Sequence, residues 1–151
     1  MSQVHWYSRR LVFIVAFVVA IGLSLHVRAN APPDRYTIGN GTVLDIKTGL
    51  LWQQPIGSKR NWTDATTHCG GLSLDGKTGW RLPSVKELQT IVDEKQLPPI
   101  DANAFPNTPT EDFWTSSLDP ANPSYAWYVG FVDGDSFSRN MTTALRVRCV
   151  R

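Results

Sequence analysis

Cys69 and Cys149 constrain this chain more than any other feature, because they are its only two cysteines and lie far apart in its 151 residues. Whether they join depends on the compartment. The first residues speak to that: Arg9 and Arg10 precede an unbroken apolar or small-residue run from Leu11 to Leu25, the pattern of an export signal. The run is about 15 residues, short of the roughly 20 that a membrane-spanning helix needs. Val27-Arg28-Ala29 then places small residues at the −3 and −1 positions of a peptidase site. Residues 1–29 are therefore expected to be a signal peptide cleaved after Ala29. An uncleaved N-terminal anchor is the alternative, since Arg28 is unfavourable so near a cleavage point; only then would the chain hold a membrane, through residues 1–29. No cysteine stands directly after the run, so no lipid anchor is expected.

Both cysteines fall in the exported part, where oxidising conditions preserve a disulfide, and with two cysteines only one pairing exists. Two free buried thiols are the alternative. Closing a loop of about 80 residues contributes roughly 4.5 kcal/mol in the chain-entropy model, comparable to the whole net stability of a marginal domain.

Removing residues 1–29 changes the reading of charge. Three of the 15 basic residues (Arg9, Arg10, Arg28) lie there and all 13 acidic residues lie beyond, so the remaining domain carries −1 where the whole chain carries +2. A near-neutral domain lacks the basic stripe that phosphate neutralisation requires, so nucleic acid is not an expected partner.

Ala31-Pro32-Pro33-Asp34 reads as part of an extended lead-in over 30–35, with one domain from 36 to 151. Val43-Leu44-Asp45-Ile46 and Leu50-Leu51-Trp52 flank Lys47-Thr48-Gly49 and predict a β-hairpin. Asn61 caps a first helix with Trp62, Ala65 and Cys69 on one face, ended by Gly70-Gly71. Ser84 and Glu87 form a capping box for a second helix, with Val85, Leu88 and Val92 at helical spacing, expected to end between Asp93 and Lys95. From Leu97 to Pro123 the composition predicts long irregular surface, anchored by Phe105 and Trp114 and interrupted by a strand-like Phe113-Trp114-Thr115-Ser116-Ser117. Trp127, Val129 and Phe131 alternate into a strand, Asp133-Gly134 turns it, and Phe137 opens the return. Leu145, Val147 and Cys149 alternate with Arg146, Arg148 and Val150, which predicts a last strand carrying Cys149. Helices early and hairpins late indicate an α+β domain, two helices on a small antiparallel sheet with one disulfide.

Several runs together resemble a known family: Thr48-Gly49-Leu50-Leu51-Trp52, Trp62-Thr63-Asp64-Ala65 with Cys69, Gly79-Trp80-Arg81-Leu82-Pro83-Ser84 with Glu87-Leu88, Phe113 to Ser117, Ala126-Trp127, and Val147-Arg148-Cys149-Val150-Arg151. In this order they are similar to the Lcl C-terminal domain family, named from a collagen-like bacterial adhesin. The resemblance implies a C-type-lectin-like fold, a bacterial source and a periplasmic or cell-surface setting; in the adhesin the domain binds sulfated glycosaminoglycans. It makes Trp52, Trp62, Trp80, Arg81, Pro83, Glu87, Leu88 and Trp127 structural motif positions. Two departures stand out: there is no Gly-X-Y stalk to enforce trimers, and the Glu-Pro-Asn and Trp-Asn-Asp motifs of calcium-dependent lectins are absent. The Trp-Arg-Leu-Pro run also resembles formylglycine-generating enzymes, whose oxidative chemistry needs a dedicated cysteine pair; here both cysteines are better spent on the disulfide.

The chemistry-bearing residues are few. His68 is the single histidine beyond residue 29, without ligand-spaced partners, so no zinc site and no catalytic residue are expected. Asp112, Asp119, Asp133 and Asp135 are oxygen donors that a calcium ion would accept, although Asp133-Gly134-Asp135 more plainly makes a turn. No other cofactor is implied. Asn40-Gly41-Thr42, Asn61-Trp62-Thr63 and Asn140-Met141-Thr142 match glycosylation acceptors, incidental in a bacterial protein. Trp52, Trp62 and Trp127 are expected in the core, whereas Trp114 and Tyr125 flank the long loop as stacking surfaces. Arg139, Arg146, Arg148 and Arg151 form a basic group, with Arg146 and Arg148 at two-residue spacing as anion contacts; pairing with Glu87 or Asp93 is their structural alternative.

The function expected is an exported, non-enzymatic binding or adhesion module for a glycan or anionic polysaccharide, using Arg146, Arg148, Trp114 and Tyr125. A structural partner in an envelope or appendage assembly, in contact with another envelope protein, is the second reading. Oligomeric state is left open.

Overall fold

The computed structural model describes residues 34–151, so the expected signal peptide and most of the lead-in lie outside the described residues. β1 (Tyr36–Ile38), β2 (Thr42–Asp45) and β3 (Leu50–Gln53) form an antiparallel sheet in that order. The predicted hairpin joins β2 to β3, with Leu44 opposite Leu51 and Asp45 opposite Leu50. Gly49 takes φ 73° in its turn, a conformation in which a Cβ is strained, and donates to the Asp45 carbonyl at 2.8 Å.

α1 (Trp62–Gly70) starts where expected: the Asn61 side chain accepts from the Asp64 amide. α2 (Val85–Gln89) has the complete Ser84–Glu87 capping box but ends well before Asp93. The Thr90 hydroxyl donates back to the Glu87 carbonyl, the Ile91 and Val92 amides reach only three residues back, and the Asp93 amide is taken by Pro99. The helical spacing of Val92 is thus met by a tighter turn.

β4 (Asp112–Leu118), β5 (Tyr125–Gly130) and β6 (Ser136–Asn140) form a second antiparallel sheet in that order. Phe113, Trp114, Trp127 and Phe137 fall in strands as the alternation predicts. The α+β class holds, with two three-stranded sheets in place of one.

Two expectations are corrected. The stretch from Leu97 to Pro123 is not all surface: Ile100, Ala104 and Phe105 are buried in the core, held there by the Asp101 carboxylate, which accepts from the Asn103 and Ala104 amides. Nor do residues 145–151 form a regular strand. They run extended and pair in turn with separate partners: Leu145 with Arg60, Arg146 with Asp112 and Trp114, Cys149 with Gln53, Val150 with Arg81, and Arg151 with Leu51. This segment lies between the two sheets and closes an edge of each.

The interior has two adjoining clusters. One gathers Val43, Trp52, Leu88, Ile91, Phe105, Phe113, Phe131 and Val150; the other gathers Ala65, Trp80, Leu82, Trp114, Leu145, Val147 and the cysteines. Burying each large side chain contributes about 1.5–3 kcal/mol. Cys69 of α1 is bonded to Cys149, with Cα atoms 5.5 Å apart. Both clusters, both sheets and the disulfide fall within residues 36–151, so this segment has the core of its own that an independently folding domain needs.

Candidate functional site

The Trp-Arg-Leu-Pro-Ser run is a structural knot. Trp80 is buried, its indole donating to the Lys77 carbonyl at 2.8 Å. The Arg81 backbone pairs both ways with Val150, and its guanidinium holds both Glu87 oxygens, at 2.6 and 2.9 Å. That grip and the Ser84 amide hold the Glu87 carboxyl down at about 2. The Pro83 carbonyl accepts from Ser116, and Leu88 enters the core.

Arg148 is not a surface cation. It is fully buried; Nη1 donates to the carbonyls of Gln53 (2.8 Å) and Gln54 (3.2 Å), and Nη2 to the Thr108 hydroxyl at 2.7 Å. Burial pushes its guanidinium down to about 9. Trp114 is also fully buried, donating to the Arg60 carbonyl, so neither residue is available to a ligand in solution. Tyr125 and Trp127 are half-buried on β5, and Trp62 is half-buried on α1 with its indole on the Thr115 carbonyl. The four expected ligand contacts are therefore not brought together. Nor do Arg146 and Arg148 pair with Glu87 or Asp93, because Glu87 is already held by Arg81.

Arg146 lies beside a surface cleft, tied to one of its lining residues, Glu111. Its Nε and Nη2 donate to the two Glu111 oxygens at 3.2 and 3.1 Å, its Nη1 to the Gly57 carbonyl, and Lys59 pairs with Glu111 from the other side at 2.5 Å. Arg146 first and Lys59 second hold the Glu111 carboxyl down at about 2. Next to it Asp112 accepts from Arg139 at 3.0 Å. Arg139 also lies over the Tyr128 ring, 4.8 Å from its centroid. Lys59, Thr110, Glu111, Asp112, Arg139 and Thr143 line an open cleft of about 320 Å³ with Val132 and Leu145 as apolar wall. Lys59 and Arg139 thus line the cleft with Glu111 and Asp112, with Arg146 on the far side of Glu111 and the Asp133 carboxylate near Asp112. Phe137, 55 % exposed, stands two residues before Arg139 on the same face of β6, its ring 6.2 Å from that of Tyr128.

Sequence reasoning missed Lys59, Glu111 and Phe137. The signal for Phe137 was present: after the Asp133-Gly134 turn, Phe137 and Arg139 share strand parity. Lys59 and Glu111 gave none, because only the folded chain joins them.

Of the four candidate calcium donors, the Asp112 and Asp133 carboxylates both lie beside Gly130, and three have protein partners. Asp112 pairs with Arg139, Asp119 accepts from Ser138 and the Ala121 amide, and Asp133 accepts from the Asp135 amide within its turn. Among the described residues no three His, Cys, Asp or Glu side chains converge as a ligand set.

Comparison with curated proteins finds no match. A family model does match, that of the Lcl C-terminal domain, over residues 41–151, which takes in β2 to β6, both helices, the disulfide and the extended terminal segment. The chain belongs to the Lcl C-terminal domain family.

Proposed function

We propose that residues 30–151 form an exported, non-enzymatic module that binds an anionic glycan in the cleft between Lys59 and Arg139. The observation that carries this reading is the placing of Lys59 and Arg139 in one open cleft, with Arg146 beside it on Glu111, in a domain that is otherwise near neutral. Whole-domain attraction of a polyanion is not available at −1, so local cations must supply it. Thr110 and Thr143 offer hydroxyls to a sugar, and exposed Phe137 offers a stacking face. Glu111, held near 2, is a weak base and suits ion pairing better than proton transfer. Family membership further supports a C-type-lectin-like architecture and a periplasmic or cell-surface setting.

Binding of residues 30–151 to neutral, carboxylated and sulfated polysaccharides, in a salt series, tests the reading. Anionic members should bind at low salt and release as salt rises. Lys59→Ala with Arg139→Ala should abolish binding without shifting the melting temperature by more than a few degrees. Binding that ignores salt, or that survives in the double variant, overturns it.

A further inference from the structure

Sheet edges are unpaired rows of amides and carbonyls, and this fold covers two of its four. The β3 edge is paired by Cys149 and Arg151, and the β4 edge by Arg146 and, at Ser116, by Pro83. Among the described residues β1 and β6 stay open, and β1 has only three residues.

β6 has five residues, Ser136-Phe137-Ser138-Arg139-Asn140, paired with β5 in continuous register from Ser136 opposite Val129 to Asn140 opposite Tyr125. The bonds that flank it, Gly130 amide to Asp135 carbonyl and Met141 amide to Ser124 carbonyl, fix which groups point where. By antiparallel alternation Phe137 and Arg139 address β5, while Ser136, Ser138 and Asn140 turn their amides and carbonyls outward. One outward group is taken, the Asn140 carbonyl, by the Thr143 amide. Open edges are usually guarded by proline, lysine, a bulge or an outward charge. β6 has no proline, lysine or register shift. Its one charge, Arg139, is turned back onto Asp112 and the Tyr128 ring.

We propose that β6 pairs with β6 of a second copy of this domain, antiparallel about Ser138. The sequence of the strand is complementary to itself in that register. Ser138 meets Ser138 and Ser136 meets Asn140, so the outward groups fall into hydrogen-bonding pairs, with the Asn140 carbonyl accepting from the other copy's Ser136 through its second lone pair. Phe137, exposed in one copy, lies directly across from Arg139 of the other, an aromatic ring beside a guanidinium. Each Arg139 brings its own Asp112, so the shared face gathers no uncompensated charge. The two-fold axis runs through the sheet, which becomes six-stranded, and both charged clefts open on the same face. Two clefts held side by side raise effective concentration for a repeating polymer. The pairing needs no ligand in either cleft, although Phe137 and Arg139 belong to both surfaces.

Sedimentation of residues 30–151 across a concentration series tests it. The expected result is a mass that moves from one copy to two as concentration rises. Phe137→Lys, which places a cation across from Arg139, and Ser138→Pro, which deletes the central outward amide, should sediment as single copies with melting temperatures close to the parent. If Ser138→Pro fails to fold, Phe137→Lys alone decides. A parent that stays single at the highest concentration overturns the proposal, and so does a dimer that folded Phe137→Lys leaves intact.

Discussion

The Arg148 guanidinium lies 4.6 Å from the centroid of the Phe105 ring, inside the protein and out of reach of water. It has no carboxylate partner. Its charge is balanced by the carbonyl oxygens of Gln53 and Gln54, the Thr108 hydroxyl and the faces of Phe105 and Phe113. One side chain thereby ties β3, the buried stretch around Phe105 and β4 to the terminal segment.

Arg148→Ala should therefore destabilise the domain by about 3–5 kcal/mol, since it leaves two buried carbonyls and a hydroxyl without a donor and opens a cavity. Arg146→Ala should cost about 1 kcal/mol or less, because its pair with Glu111 is partly exposed. Chemical denaturation of the two single variants separates these roles; equal losses would contradict them.

The disulfide is expected to contribute about 4–5 kcal/mol through the loop it closes. Natively purified, unreduced protein should show no titratable thiol, and Cys149→Ser or reduction should lower the melting temperature sharply. Two reactive thiols in such material would rule the bond out.

Two aromatic residues should behave in opposite ways. Trp114→Ala should cost about 3–5 kcal/mol, because the ring is fully buried in the second cluster. Phe137→Ala should leave stability within about 0.5 kcal/mol, since its ring stands largely in solvent. Thermal melts of the pair are the measurement.

Acid should loosen the knot around Glu87. Its carboxyl is held by Arg81 at about 2, below the ordinary 4.5, so the contribution is complete above the ordinary value and fades as pH falls toward 2. Asp45 acts with the same sign: burial, the largest single influence, raises its carboxyl, but the bonds and charge of Arg35, the Thr48 hydroxyl and the Lys47 amide together outweigh it and lower the carboxyl. Urea midpoints taken between pH 7 and pH 2 should fall below about pH 4.5, and Glu87→Gln should flatten that fall.

The turn before β6 has little room. Gly134 takes φ 90°, and a Cβ there would meet the Val92 side chain at 2.8 Å. Gly134→Ala is expected to cost about 1–3 kcal/mol, readable as a lowered melting temperature.

Local chemistry was legible in the residues. Asn61, the Ser84–Glu87 box and Lys47-Thr48-Gly49 announced both helix starts and the first hairpin, because caps and turns are decided by neighbours. The terminal segment was not. Alternation at Leu145, Val147 and Cys149 suits a strand in a sheet equally well as an extended chain visiting one partner after another, and the partners are remote. Arg148 reads as outward by parity, yet its acceptor on Gln53 is 95 residues away. Trp114 was misplaced for a related reason: the stretch before it looked polar enough for surface, while its few apolar residues turn inward. The cleft needed Lys59, Glu111 and Arg139, with Arg146 beside it, from three separate stretches, a grouping that no spacing encodes.

The segment from Leu145 to Arg151 sets a clock on assembly. Every partner it joins, from Leu51 and Gln53 to Arg60, Arg81 and Trp114, leaves the ribosome earlier, and each keeps an unmet backbone group until these residues arrive. The hairpins and helices form locally as they emerge, but the sheets gain their covered edges and Cys69 its partner only at the finish. Until then both sheets keep a bare edge and Cys69 keeps a free thiol.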